Sequence, residues 1–265
     1  MAKQPLMEAT SLGSMADGVH IPDCAIGIMA KAPQAGRSKT RLCPPFAPEE
    51  AAALSAAFLR DTDGTIARSA RSARIVAYAA YAPVGSEALI AAHVGPDTKL
   101  ILADGSPPMP ECVSGFGRCL LHAIEGMLER GHAAACVLSS DIPTLPARLL
   151  IEAAGHLLAP GDRAVLGPCP DGGYYLLGLK AAHAEMFADI AWSTEHVAEA
   201  TRARARAIDL DLVELEPWYD VDDMEAFMRL LADAGVETAP ATRRVLDGLR
   251  LRRGDLKRSA SDEAA

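Results

Sequence analysis

A chain of 265 residues, half of them apolar and 23% charged, is long enough to bury one large α/β core or two small ones and is too apolar to be disordered. Its 26 lysines and arginines against 35 aspartates and glutamates leave a net charge of −9, which argues against an extended nucleic-acid-binding face. No apolar stretch approaches the roughly 18–20 residues of a membrane helix, and residues 1–23 lack the apolar run of a signal peptide.

The six cysteines (Cys24, Cys43, Cys112, Cys119, Cys136 and Cys169) form no C-x-x-C pair and no zinc-ligand spacing with histidine. They read as reduced thiols, and the expected setting is the cytoplasm.

In chain order, residues 1–22 read as a flexible lead-in, and Cys24-Ala-Ile-Gly-Ile-Met-Ala30 as a buried first strand. Next comes Lys31-Ala-Pro-Gln-Ala-Gly-Arg-Ser-Lys-Thr-Arg41, where four cations crowd a strand exit. Residues 48–70 have helical spacing, with Pro48 and Glu49-Glu50 suited to a helix start. Strands are expected at 74–81, 99–103, 133–139, 163–167, 174–179 and 210–215, and further helices at 86–93, 115–130, 146–158, 193–207 and 222–234. Residues 254–265 read as a polar tail. The alternation predicts a single α/β domain over residues 23–253, Rossmann-like, with a mainly parallel mixed sheet and helices on both faces. In such sheets ligands bind at the carboxyl ends of the strands, and each polar motif follows a predicted strand.

The first loop reads as a polyphosphate cradle. Gly36 lets backbone approach an anion, and Lys31, Arg37, Lys39, Thr40 and Arg41 supply charge and donors. It is not a P-loop, because G-x-x-x-x-G-K-[ST] is absent; the plainer alternative is a solvated basic loop.

Ser139-Ser-Asp-Ile-Pro-Thr144 sets Asp141 just beyond a buried strand, where it can hold Mg²⁺ or Mn²⁺ among phosphates or simply cap the turn before helix 146–158. Asp171-Gly172-Gly173 is a turn signal that also offers bare backbone to a ring or sugar, with Asp171 available to a hydroxyl or a metal. Tyr174 and Tyr175 should point to opposite faces of their strand.

In Trp218-Tyr-Asp-Val-Asp-Asp223, one of Asp222 and Asp223 should cap the following helix, leaving another Asp for a metal. Trp192-Ser-Thr-Glu195 reads either as a capping box led by Ser193 or Thr194, or as the wall of an acceptor pocket. The arginines at 202–206 and the basic stretch 243–258 read as solvated faces or an oligomer contact, so a homodimer is one expectation.

The strings M-A-K-A-P-Q-A-G-R-S-K-T-R-L, S-D-I-P-T-L, D-G-G-Y-Y-L-L-G-L, W-S-T and Y-D-V-D-D, spread between Ala25 and Leu231, resemble the nucleotide-diphospho-sugar transferase (GT-A-like) superfamily. Within it they resemble the rSAM/selenodomain-associated transferase 1 family, which is described as glycosyltransferase-like. The resemblance implies that Arg37, Lys39 and Arg41 bind a nucleotide's phosphates, and that Asp141 with Asp220 or Asp222 holds the metal. Two departures stand out. Ser139 occupies the place of the first Asp of the glycosyltransferase D-x-D, and Asp222-Asp-Met-Glu-Ala-Phe227 replaces the D-T-P-E-D-L common in nucleotidyltransferases.

Two enzymatic readings follow. One is nucleotidyl transfer from a nucleoside triphosphate to a small phosphorylated or hydroxyl acceptor, with Lys39, Arg37 and Asp141 catalytic. The other is glycosyl transfer from a nucleotide sugar. A third reading is a nucleotide-binding protein without turnover. The first loop's charge favours nucleotidyl transfer, because a leaving pyrophosphate needs more neutralisation than a sugar-nucleotide diphosphate.

Overall fold

The computed structural model describes residues 23–233 and 238–249; the expected lead-in 1–22 and tail 254–265 lie outside them. Seven strands form one sheet: β1 (Cys24–Lys31), β2 (Ile75–Ala82), β3 (Lys99–Leu102), β4 (Ala134–Leu138), β5 (Arg163–Pro168), β6 (Tyr174–Leu179) and β7 (Asp211–Glu214). Their order is β3-β2-β1-β4-β6-β5-β7. All neighbouring pairs are parallel except β4–β6 and β5–β6, so β6 alone runs backwards. Its reversal is a hairpin effect: the Asp171-Gly172-Gly173 turn is too short for a crossover and sends the chain straight back along β5.

Seven helices accompany the sheet: α1 (Pro48–Ser69), α2 (Glu87–Ala91), α3 (Phe116–Leu128), α4 (Ala147–Leu158), α5 (Val197–Ala207), α6 (Met224–Ala232) and α7 (Pro240–Gly248). The central strands are apolar on both sides because both faces are covered. On one face Ile26, Ile28 and Leu138 meet Leu59, Ile66, Leu149 and Leu157 of α1 and α4. On the other, Ala25, Val137 and Leu177 meet Leu121 and Ile124 of α3 together with Met186, Phe187 and Ala205. Tyr175 belongs to the first face and Tyr174 to the second, as strand alternation requires.

A third cluster lies beside the first loop, where Leu42 and Phe46 pack with Leu54 and Phe58 of α1, Phe227 and Leu230 of α6, and Leu246 of α7. Helix α7 overlaps the basic stretch read as a solvated face, yet Thr242 and Leu246 are buried. Its free N-terminal N–H groups are met by Asp61 of α1, which is 3% exposed and accepts from Ala241 N–H at 2.9 Å and Thr242 N–H at 2.7 Å.

Two helix starts differ from the sequence reading. Helix α5 begins at Val197, after His196, and not at 193. Ser193 has φ +64°, and the Thr194 hydroxyl donates back to Ala191 O at 2.7 Å, so W-S-T-E is a separate turn and no capping box. Helix α6 begins at Met224 with Asp223 as its cap, accepting from Ala226 N–H at 2.9 Å. That assignment leaves Asp222 for other work. No helix among the described residues is long and apolar enough to cross a membrane, and the six cysteines are unpaired.

Candidate active site at the carboxyl edge of the sheet

The first loop leaves β1 and folds into a turn held by Arg37 N–H and Ser38 N–H, both donating to Gln34 O at 3.1 and 3.0 Å. Gly36 at its tip has φ +72°, and no atom lies within 4 Å of where a Cβ would stand. That backbone is open to an approaching anion. The side chains of Arg37 and Arg41 are exposed and make no ion pair among the described residues, and neither does Lys31. Lys31 points its charge toward α3, where it opposes the rise that burial imposes on the Cys119 thiol.

Lys39 is different. Its side chain is 6% exposed, and its ammonium sits 2.7 Å from Asp141 Oδ2 and 2.6 Å from Asp222 Oδ1. The backbone there is left-handed, at φ 51°, which turns the side chain inward from a loop whose other cations face solvent. Burial alone would push the ammonium toward neutrality. The two adjacent carboxylates, by charge and hydrogen bond, outweigh that and hold its pKa above the ordinary lysine value.

Backbone bonds bring the acids together. The segment after β7 crosses the tops of β5 and β4 through Leu215 N–H to Leu166 O (2.9 Å), Trp218 N–H to Pro168 O (3.1 Å) and Val221 N–H to Asp141 O (2.8 Å). The Tyr175 hydroxyl donates to Glu216 O at 3.0 Å and pins the same segment from below. Asp141 caps no helix: α4 starts after Pro146 without a side-chain cap.

The structure therefore joins Asp141 and Asp222 through Lys39 and groups Asp220 with Asp171 and Cys169, near enough for Asp220 to feel the charges of Asp222 and Asp141. Burial, then the charges of Asp222 and Asp171, push the Asp220 carboxyl up to about 7, although Lys39 opposes the shift. Cys169, at the end of β5, is a member the sequence reading missed. Its Sγ lies within 4.8 Å of ligand oxygens of Asp171 and Asp220, and burial followed by the charges of Asp220 and Asp171 raises its thiol pKa well above the ordinary value. An apolar-looking Cys-Pro before Asp-Gly-Gly gave no sign of this.

Asp141 and Asp222 share one ammonium, and Asp220, raised first by burial and then by the charges of Asp222 and Asp171, adds to an excess of acids over bases there. Such an oxygen-rich set suits a hard divalent cation, Mg²⁺ or Mn²⁺. The thiol, held protonated, is a poorer ligand than the carboxylates.

The Asp-Gly-Gly turn is tight: Asp171 Oδ1 accepts from Gly173 N–H at 2.9 Å. A Cβ on Gly172 would lie 1.9 Å from Glu195 O, and φ there is +88°. One side of the turn is thus packing surface against the W-S-T-E turn, and a Cβ on Gly173 would meet the Asp171 carboxylate at 3.3 Å. Trp192 lies on Gly115 and Gly117 at the start of α3 and meets Phe116 edge-on, with ring centroids 5.9 Å apart. Among the described residues its buried Nε1 has no partner, and neither has the Tyr174 hydroxyl.

The strand order and reversed β6, with the site at the carboxyl edge, are those of the nucleotide-diphospho-sugar transferase, GT-A-like, fold. Among solved structures, a candidate nucleotide-diphospho-sugar transferase of Desulfovibrio desulfuricans G20 matches with TM-score 0.70 and 25% identity, over 86% of this chain and 97% of that one. More distant are 4-diphosphocytidyl-2C-methyl-D-erythritol synthase of Anaerococcus prevotii (TM-score 0.46, 10% identity, 80% and 97% covered) and glucosyl-3-phosphoglycerate synthase of Mycobacterium tuberculosis, solved with Mn²⁺ and UDP (0.46, 10%, 83% and 80%). Residues 65–194 match a family model described as an uncharacterized protein conserved in bacteria, DUF2064. No curated protein matches the chain.

Proposed function

We propose that this protein is a metal-dependent, nucleotide-using transferase. In our reading it moves a nucleotidyl group from a nucleoside triphosphate to a small phosphorylated or hydroxyl acceptor and releases pyrophosphate. The observation that carries it is the pairing of a carboxylate surplus at Asp141, Asp171, Asp220 and Asp222 with uncommitted cations on the adjoining loop. Phosphoryl chemistry needs charge neutralisation and alignment more than a protein nucleophile.

Arg37 and Arg41, with the open backbone at Gly36 and the Thr40 hydroxyl, receive the triphosphate, and Lys31 flanks them from the α3 side. Asp141, Asp220 and Asp222 hold the Mg²⁺ or Mn²⁺, with Asp171 at hand. When bound, the metal neutralises charge on the reacting phosphates. The acceptor enters past the Trp192–Phe116 pair, the setting expected from the unpaired cysteines is the cytoplasm, and the chain is read as a member of the rSAM/selenodomain-associated transferase 1 family.

Glycosyl transfer from a nucleotide sugar is the second reading. It is favoured by the 25% identical relative described as a candidate nucleotide-diphospho-sugar transferase.

The test is a thermal-shift screen of nucleoside triphosphates and nucleotide sugars, each with and without Mg²⁺ or Mn²⁺, followed by assay of the stabilising ligand for pyrophosphate or nucleoside diphosphate release. A ligand that binds only the folded state raises the melting temperature by mass action. Metal-dependent stabilisation by a triphosphate supports nucleotidyl transfer. Stabilisation by a sugar nucleotide alone transfers the case to the second reading, and silence from every nucleotide sinks both.

A further inference from the structure

The Lys39 ammonium stands where a cation held by Asp141 and Asp222 would stand. It contacts one oxygen of each, at 2.7 and 2.6 Å, and a Mg²⁺ ion binds carboxylate oxygens at about 2.0–2.1 Å. Both occupants would draw on the same two oxygens, and like charges within bonding distance of shared ligands repel. The ammonium is well suited to hold the place. It is nearly buried, it caps two acids that would otherwise repel one another, and it ends a flexible four-carbon stem that can swing without moving its backbone. Its neighbours Arg37 and Arg41 make no ion pair among the described residues, so phosphates seated on that loop would give the ammonium another anionic partner.

We propose that Lys39 and the divalent cation are alternative occupants of the Asp141–Asp222 pair, so that the free protein is guarded against metal and loads it only when Lys39 is drawn away. The proposal rests on the metal-dependent reading above and adds an order of assembly to it: donor phosphates first or together with the metal, never metal alone at full affinity.

The test is Mn²⁺ binding to the full chain without nucleotide, followed by the loss of the free-ion EPR signal, in wild type, Lys39→Met, Lys39→Gln and Asp222→Asn. Removing the resident charge is expected to tighten Mn²⁺ binding at least tenfold in both Lys39 variants, while Asp222→Asn weakens it. Thermal melts keep the result independent of folding losses. The Lys39 variants are expected to melt lower than wild type without metal, and Mn²⁺ should raise their melting temperature by more than it raises wild type. Equal Mn²⁺ affinity in wild type and both Lys39 variants, with binding still lost in Asp222→Asn, overturns the competition and leaves the metal site standing. Absence of Mn²⁺ binding in all four proteins overturns the metal reading itself.

Discussion

The two ends of the sheet carry polar networks of similar parts and opposite character. At the amino edge, Asp23 Oδ1 lies 2.6 Å from His132 Nδ1, and His132 Nε2 lies 2.9 Å from the Tyr78 hydroxyl. Each member has a partner, one acid faces one imidazole, and Tyr78 and His132 are almost wholly enclosed. That network ties β1, β2 and the entry to β4 together and has nothing left to offer a ligand. At the carboxyl edge, Asp141 and Asp222 share the Lys39 ammonium while Asp171 and Asp220 stand close by, burial and then its acidic neighbours push Asp220 up to about 7, and neighbouring cations face solvent. A balanced buried network stabilises a fold, whereas an unbalanced one stores the charge a ligand will neutralise.

Four substitutions break or sharpen this contrast. Asp141→Asn keeps the shape and removes a charge from the unbalanced end; turnover of the identified donor should fall by roughly 10²–10³-fold, the scale of losing a key electrostatic contact, and steady-state kinetics would show it. Gly172→Ala tests whether the turn under Asp171 is fixed by packing: a Cβ at φ +88° and 1.9 Å from Glu195 O should cost about 3 kcal/mol in urea unfolding. An unchanged midpoint would mean the W-S-T-E turn gives way freely.

The third concerns pH. Burial, then the charges of Asp222 and Asp171, push the Asp220 carboxyl up to about 7 in the fold against about 4 in an unfolded chain, so between those values the native state holds the extra proton. Its contribution is fully present below pH 4 and is lost as pH rises through 7. Without metal, Asp220→Asn should therefore match wild type near pH 4 and exceed its stability by about 4 kcal/mol at pH 8. A constant gap across that range would remove Asp220 as the carrier of surplus charge. The smallest effect belongs to the balanced end: Tyr78→Phe should cost about 1 kcal/mol, the loss of one hydrogen bond, and leave turnover unaltered.

The strands were legible because each is a short, nearly continuous apolar run, which is what burial on both faces demands. The reversal of β6 was hidden, since an apolar run carries no direction. Helix α7 was hidden by its arginines: Thr242 and Leu246 are buried and Val245 packs beside them, too few to show against a basic background, and its partner Asp61 lies far away in sequence. W-S-T-E imitates a helix start in composition, but Ser193 adopts a left-handed backbone that ends the imitation.

At the site, strand exits told where to look, because the carboxyl edge collects every loop that follows a parallel strand. Which acids meet there was another matter. Lys39, Asp141 and Asp222 are separated by 102 and then 81 residues, and the inward turn of Lys39 accompanies a left-handed backbone that no local pattern announces. Cys169 went unremarked because a lone thiol beside a proline looks like any core residue.

The cluster that joins Leu42 and Phe46 to Phe227, Leu230 and Leu246 has a consequence for biosynthesis. The first loop emerges from the ribosome well before the surface on which it rests, which helices α6 and α7 supply. A nascent chain halted after β7 would already contain all seven described strands but neither Asp222 nor the apolar cluster beside the first loop. Ligand competence should arrive abruptly, with translation of α6 and α7.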